Sequence, residues 1–223
     1  MAVITISRQF GSGGDEIAAK VCYMLEYLYF DKQLMLQVAA DMGLSEYEVV
    51  DFSEDTYKMR GFVDRVLSWR GPRMVAQVDT WKQEPTGTVT KEVIELDEAN
   101  SVAFAQKTIL AVYGYENAVI VGRGGQAILQ DKPDVLHVRI EAPYNERVKR
   151  LRNRENYSPG GAKDAAIKHD RASSEYLQRF YGVDWNDTML YALVINTGKL
   201  SIETAARLIV EAAKELPQST QTD

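Results

Sequence analysis

A chain of 223 residues, 45% hydrophobic and 26% charged, is long enough to bury a full core and has the composition of a globular domain. Its net charge of −6 argues against the basic face that bulk nucleic-acid binding needs, and its single cysteine, Cys22, excludes an intramolecular disulfide and a cysteine-rich metal site. No apolar run approaches the roughly eighteen residues of a membrane span, and the N-terminus enters a strand without a charged and then apolar leader, so a cytoplasmic setting without nucleic-acid or membrane partners is expected.

In chain order, Ile4 to Ile6 reads as a buried strand, Ser7 to Gly14 as a glycine-rich turn, and Asp15 to about Leu28 as a helix with Ile17, Val21 and Leu25 on one face. Leu28 to Phe30 predicts a short second strand ending at Asp31. Lys32 to Met42 is apolar at helical spacing, with Gly43 as its stop, and Ser45 caps a short helix over Glu46 to Val50. Residues 52–92 are the least regular, with scattered arginines, Trp69, Trp81 and a turn cluster at Glu84 to Thr88; they read as a helical insert, either a plain surface feature or a cover for substrate. Ser101 to Tyr113 predicts a helix. Ala118 to Val121 is a β-branched strand that stops in Gly122-Arg123-Gly124-Gly125, and Gln126 to Leu129 begins another helix. Val135 to Ile140 is a strand, Asn145 to Arg154 a basic helix after Pro143, Ser158 to Gly161 a break, and Ala162 to Phe180 a further helix. Tyr191 to Asn196 closes the set of strands, and Ser201 caps an amphipathic helix over Ile202 to Leu216.

Five apolar strands separated by helices predict an α/β fold of three layers, a five-stranded parallel sheet with helices on both faces. Ligands in such sheets bind beyond the carboxyl ends of the strands. That rule selects Ser7 to Asp15, Asp31, Gly122 to Gly125 and Asn196 to Gly198.

A strand, a glycine turn and a helix aim backbone N–H groups and a helix N-terminus at a phosphate. The common form of such a loop ends Gly-Lys-Ser/Thr, whereas this one ends Gly13-Gly14-Asp15. Two residues offer a repair: Asp15 as an oxygen ligand for Mg²⁺, and Arg8, whose planar fork suits phosphate but which also fits a surface ion pair. Asp31 suits a substrate contact or an N-cap. Arg123, held by glycines at a strand end, points to an anion. Arg147, Arg150 and Arg154 recur at helical spacing, and with Lys168 and Arg171 they make a cationic flap over 144–181, as phosphoryl transfer requires. His137 belongs in a strand core and His169 on an exposed helix, and no hydrolytic triad stands out.

Together these segments resemble the cytidylate-kinase-like family, a branch of the nucleoside monophosphate kinases within the P-loop fold. Ile4 to Gly14 is similar to that branch's opening signature, Tyr29-Phe30-Asp31 to its nucleoside-holding segment, Val119 to Gly124 to its Gly-Arg loop. Asp170-Arg171 with Tyr176, Gly182 to Trp185 and Leu193 to Gly198 are similar to its lid and final strand. The resemblance implies one P-loop kinase-like domain over 1–223, with 144–181 as an arginine-rich lid and ATP and Mg²⁺ used to phosphorylate CMP, dCMP or a related small nucleotide; residues 52–92, expected as a substrate-covering insert, match no nucleoside-binding pattern of the family. Gly11, Ser12, Gly13 and Gly14 would then hold the donor phosphates, Asp15 or Ser12 would help place Mg²⁺, and Arg123 with Gly124, Asp31 and Asp170 would hold the acceptor. Arg8, Arg150, Arg154 and Arg171 would gather around the transferring group. A nucleotide-binding regulatory module of the same fold, without turnover, is the alternative raised by Gly14.

Overall fold

The computed structural model describes residues 2–31, 34–35, 76–83, 89–96, 98–154 and 157–217. The elements are β1 (Val3–Arg8), α1 (Gly14–Leu25), β2 (Leu28–Phe30), β3 (Ala76–Gln83), β4 (Val89–Leu96), α2 (Glu98–Tyr115), β5 (Ala118–Val121), α3 (Gly125–Ile128), β6 (Val135–Glu141), α4 (Tyr144–Arg154), α5 (Pro159–Tyr181), a 3₁₀ turn (Thr188–Leu190), β7 (Leu193–Asn196) and α6 (Ile202–Lys214).

Five strands form one parallel sheet in the order β2-β5-β1-β6-β7. β1 is central, and the chain's crossovers reverse around it; in such sheets ligands bind beyond the carboxyl end of that point. The apolar strand runs are continuous because both faces are covered. Ile4, Ile6, Val119, Val121, Val138 and Ile140 pack on one side with Ile17 and Val21 of α1 and Ile209 of α6. Val3, Ala118, Ile120 and Val135 face the other side, with Ile109 and Val112 of α2. Each such fully buried aliphatic side chain contributes about 1.5–3 kcal/mol. The expected three layers and five strands are therefore present.

Three expectations change. Residues 76–83 and 89–96 are not helical; they pair antiparallel, Ala76 opposite Leu96 and Gln83 opposite Val89. Val78, Thr80, Val89, Val93 and Ile94 are β-branched and suit a pleated surface, a preference that outweighs the helical reading of this stretch. The expected break between two helices is present, but the second helix starts earlier than Ala162: Ser158 caps α5 by accepting the Gly161 N–H, with Pro159 in the first turn. His169 is not simply exposed, since its ring stacks on Phe10 at 4.1 Å. The helices expected over Lys32 to Met42 and Glu46 to Val50, and the turn at Glu84 to Thr88, lie outside the described residues, apart from a helical Leu34-Met35.

Candidate functional site

All the loops selected from the sequence leave the carboxyl edge of the sheet. The first, from Gln9 to Gly13, links β1 to α1. Gly11 and Gly13 adopt φ of +78° and +85°, which L side chains rarely tolerate. A Cβ on Gly11 would also lie 3.0 Å from Leu151 Cγ, and one on Gly13 would lie 2.6 Å from Ile202 Cδ1, so α4 and α6 press on the loop from either side. Gly13 supplies no side-chain cap to α1, whereas Ser158 and Ser201 cap α5 and α6. The first turn of α1 thus keeps the partial positive charge of a helix start. Ser12 is fully buried, and its Oγ is the buried side-chain polar atom without a hydrogen-bond partner among the described residues.

Two arginine clamps hold this loop. Arg147 donates from Nη1 to Phe10 O at 3.0 Å and to Asp170 Oδ2 at 2.7 Å, and from Nε to Ala142 O at 3.2 Å. Asp170 in turn accepts the Phe10 N–H at 2.9 Å. Burial pushes the Asp170 carboxyl above its ordinary range, against the pull of the Phe10 N–H and Arg147. Arg150 donates from Nη1 to Ser12 O at 2.9 Å and Thr197 Oγ1 at 2.8 Å, and from Nη2 to Thr197 O at 2.8 Å. Thr197 Oγ1 reaches Ser12 O at 2.6 Å, which joins the first and last loops. Asp170 and Arg150, expected at the substrate, therefore hold the loop's backbone.

The remaining expected residues fall in different places. Arg8 Nε pairs with Asp15 Oδ1 at 3.1 Å, which joins the two repairs the sequence suggested. Arg123 is buried and sits at φ +60° between Gly122 and Gly124 at +70° and +71°, a left-handed run beyond β5. Gly122 N donates to Ile6 O at 3.0 Å, so this turn lies beside the end of β1. A non-glycine residue held at positive φ costs on the order of 1 kcal/mol, a cost that Arg123 shares with Glu26, Glu116 and Asn117. Gly124 is covered by Tyr181 of α5, whose ring would stand 2.9 Å from an added Cβ. Asp31 takes the simpler of its two readings, since its Oδ1 accepts the Leu34 N–H at 3.1 Å as an N-cap. Arg171 pairs with Glu175 at 2.6 Å on the exposed side of α5, and the Arg154 side chain lies outside the described set. Tyr29, from the segment that resembles the nucleoside-holding one, has its hydroxyl pushed up to about 12, first by burial and then by the Asp15 and Asp31 charges, while Arg8 opposes the rise. Among the described residues no three His, Cys, Asp or Glu side chains converge as metal ligands, and no helix is long and apolar enough to cross a membrane.

Sequence reasoning counted Arg139 among the basic residues but did not see its burial. It is fully buried in β6, donates to Glu141, the Trp185 carbonyl and Asn186, and stacks its guanidinium 4.2 Å from the Trp185 ring centre. Trp185 Nε1 donates to Ser7 Oγ at 2.7 Å, which pins the segment after α5 to the end of β1. The available signal was an arginine inside an apolar strand, a placement that demands a partner set.

Residues 3–199 match the profile of the cytidylate kinase-like family. A cytidylate kinase of Saccharolobus islandicus is 21% identical over 98% of this chain and 94% of its own length. A uronate isomerase of Corynebacterium glutamicum is 32% identical over 46% of this chain, and the match spans 20% of that much longer protein. Among solved structures, an uncharacterized protein from Eubacterium ventriosum aligns over 96% of this chain and 99% of its own at a TM-score of 0.63 and 20% identity. A shikimate kinase from Bacteroides thetaiotaomicron aligns over 96% of this chain and 98% of its own at a TM-score of 0.50 and 14% identity. These likenesses show the three-layer fold. With most of its length matched to one profile, the chain belongs to the cytidylate kinase-like family.

Proposed function

We propose that this chain is a nucleoside monophosphate kinase-like phosphotransferase that moves the γ-phosphoryl group of ATP to CMP, dCMP or a related small acceptor. The observation that carries the reading is the first loop. A buried Ser12 Oγ without a partner lies in a glycine turn that delivers an uncapped helix start. Buried hydroxyls nearly always find partners, and here a bound phosphate would supply one. Gly11 to Gly14 and the start of α1 hold the donor phosphates, and Arg123 with Gly124 holds the acceptor phosphate one strand away. An acceptor phosphate oxygen forms the new bond to the γ phosphorus as the bond to the ADP oxygen breaks. The acceptor is already an anion, so no general base is needed, and fixed positive charge carries most of the stabilisation.

Mg²⁺ takes one or two carboxylates and fills its shell with water and phosphate oxygens, so Asp15, exposed at the loop, would hold such an ion, whereas the fully buried Ser12 hydroxyl fits the phosphate rather than the metal. When bound it supplies charge neutralisation across the donor phosphates. Arg147, Arg150 and Asp170 act here as positioning residues that fix the loop, so α4 and α5 form a wall of the site.

The experiment is ADP formation from ATP·Mg²⁺ with a panel of nucleoside monophosphates. Turnover is expected with a cytidine acceptor. Tight ATP binding without ADP formation from any acceptor would overturn this reading in favour of a nucleotide-binding regulatory module, the alternative that Gly14 favours.

A further inference from the structure

The common phosphate loop reads G-x-x-x-x-G-K-[ST]. Setting Gly13 on its second glycine places Arg8 on the first glycine, Gly14 on the lysine and Asp15 on the hydroxyl. Relative to that pattern, glycine and cation have changed places. The geometry gives a reason. A Cβ on Gly14 would lie 2.5 Å from Arg8 Cβ and 2.8 Å from Arg8 Cγ. Neither is the far end of a flexible side chain, so positions 8 and 14 cannot both carry one. In this loop a cation can stand at position 8 or at position 14, with glycine at the other.

We propose that Arg8 is the donor-phosphate cation of this site, delivered from the end of β1 in place of the usual lysine, and that Gly14 is obligatory because Arg8 is present. This rests on the phosphate reading above. The Arg8 stem crosses the first residue of α1, and its Nε meets Asp15 Oδ1 at 3.1 Å, so its charge lies beside the uncapped helix start. The two side chains are 27% and 65% exposed, so the pair stands at the open side of the loop, where an arriving polyphosphate competes with Asp15 for the guanidinium. Arg147 and Arg150 are instead bonded to the loop's own carbonyls, Phe10 O and Ser12 O.

The test uses the full chain and two probes, tripolyphosphate and ATP·Mg²⁺, titrated calorimetrically alongside melting curves. Arg8→Met keeps the aliphatic stem and should weaken both probes by roughly 10- to 100-fold, the loss of a charge-assisted contact, with the melting temperature kept. Gly14→Lys and Gly14→Ala should each melt lower than the parent. The exchange Arg8→Gly with Gly14→Lys restores the common pattern, and it should melt above Gly14→Lys and bind tripolyphosphate more tightly than Arg8→Gly. Arg8→Met within about twofold of the parent would overturn the proposal while leaving the phosphate site standing. So would an exchange variant no better than either single change. If the parent chain binds neither probe, the phosphate site itself falls, and the assignment of Arg8 falls with it.

Discussion

Replacing Asp170 by Ala removes the acceptor of two bonds, from Phe10 N–H at 2.9 Å and from Arg147 Nη1 at 2.7 Å. The Arg147 and Asp170 side chains are 7% and 19% exposed, so the pair is largely shielded and the arginine is left without its counter-charge. Breaking one partner of a buried pair costs about 3–5 kcal/mol. For a chain of this size each kcal/mol shifts the melting temperature by about 2–4 °C, so a fall of about 6–20 °C is expected. Asp170→Asn keeps the shape and one acceptor oxygen and should lose about half as much, since a neutral bond is roughly half as strong as a charge-assisted one. Replacing both partners by apolar residues, Arg147→Met with Asp170→Leu, should recover much of the loss, because no orphaned charge remains. Urea unfolding with a double-mutant cycle measures these terms. If Asp170→Ala unfolds within about 0.5 kcal/mol of the parent, the size of an ordinary surface change, and only raises KM for an acceptor, then Asp170 is a substrate contact and its role as a loop clamp is refuted.

Arg150→Lys should behave almost like Arg150→Ala, each losing about 2–4 kcal/mol, because a single ammonium cannot span the carbonyls of Ser12 and Thr197 that the planar fork bridges at 2.9 and 2.8 Å; equal stability of the lysine variant and the parent would count against this. The pH dependence of stability has a named source in His137, whose Nδ1 accepts from Thr5 Oγ1 at 2.7 Å while Nε2–H donates to Leu129 O at 3.2 Å. Burial holds its pKa below the ordinary value of 6.5, so the folded state resists protonation. This contribution is fully present above the unfolded pKa and is lost as pH falls below it toward the folded pKa, at about 1.4 kcal/mol per pH unit. His137→Gln keeps a donor for Leu129 O and should flatten the curve between pH 7 and 5 in urea midpoints; an unchanged slope would remove His137 as the source.

What was legible in the sequence is what is local. Ala118 to Val121 and Val135 to Ile140 announced strands because a sheet covered on both faces needs no polar alternation. Arg123 was legible as special because glycines flank it, and its left-handed φ of +60° gives the reason. The ownership of the other arginines was not legible. Arg147, Arg150 and Arg139 meet partners 137, 138 and 46 residues away in the chain, and no periodicity encodes such pairings. Helical spacing placed Arg147 and Arg150 on one face correctly, but charge alone did not distinguish a guanidinium facing phosphate from one facing carbonyls. Ser158-Pro159 shows the limit at a boundary: the break before α5 was legible, but its start was set three residues late because the capping serine and first-turn proline were not given their weight.

The two clamps bear on how the site works. Phe10 is held through both its N–H and its carbonyl, and the Ser12 carbonyl is held by Arg150 and Thr197 together. The loop conformation is therefore set by α4, α5 and the turn after β7. A site whose donors already point the right way need not spend binding free energy on ordering them. The arginines thus divide by place: Arg147 and Arg150 of α4 fix the loop backbone, while Arg8 and Arg123, on β1 and beyond β5, stand at the ends of strands. Distributing the work in this way frees position 14 from carrying a cation.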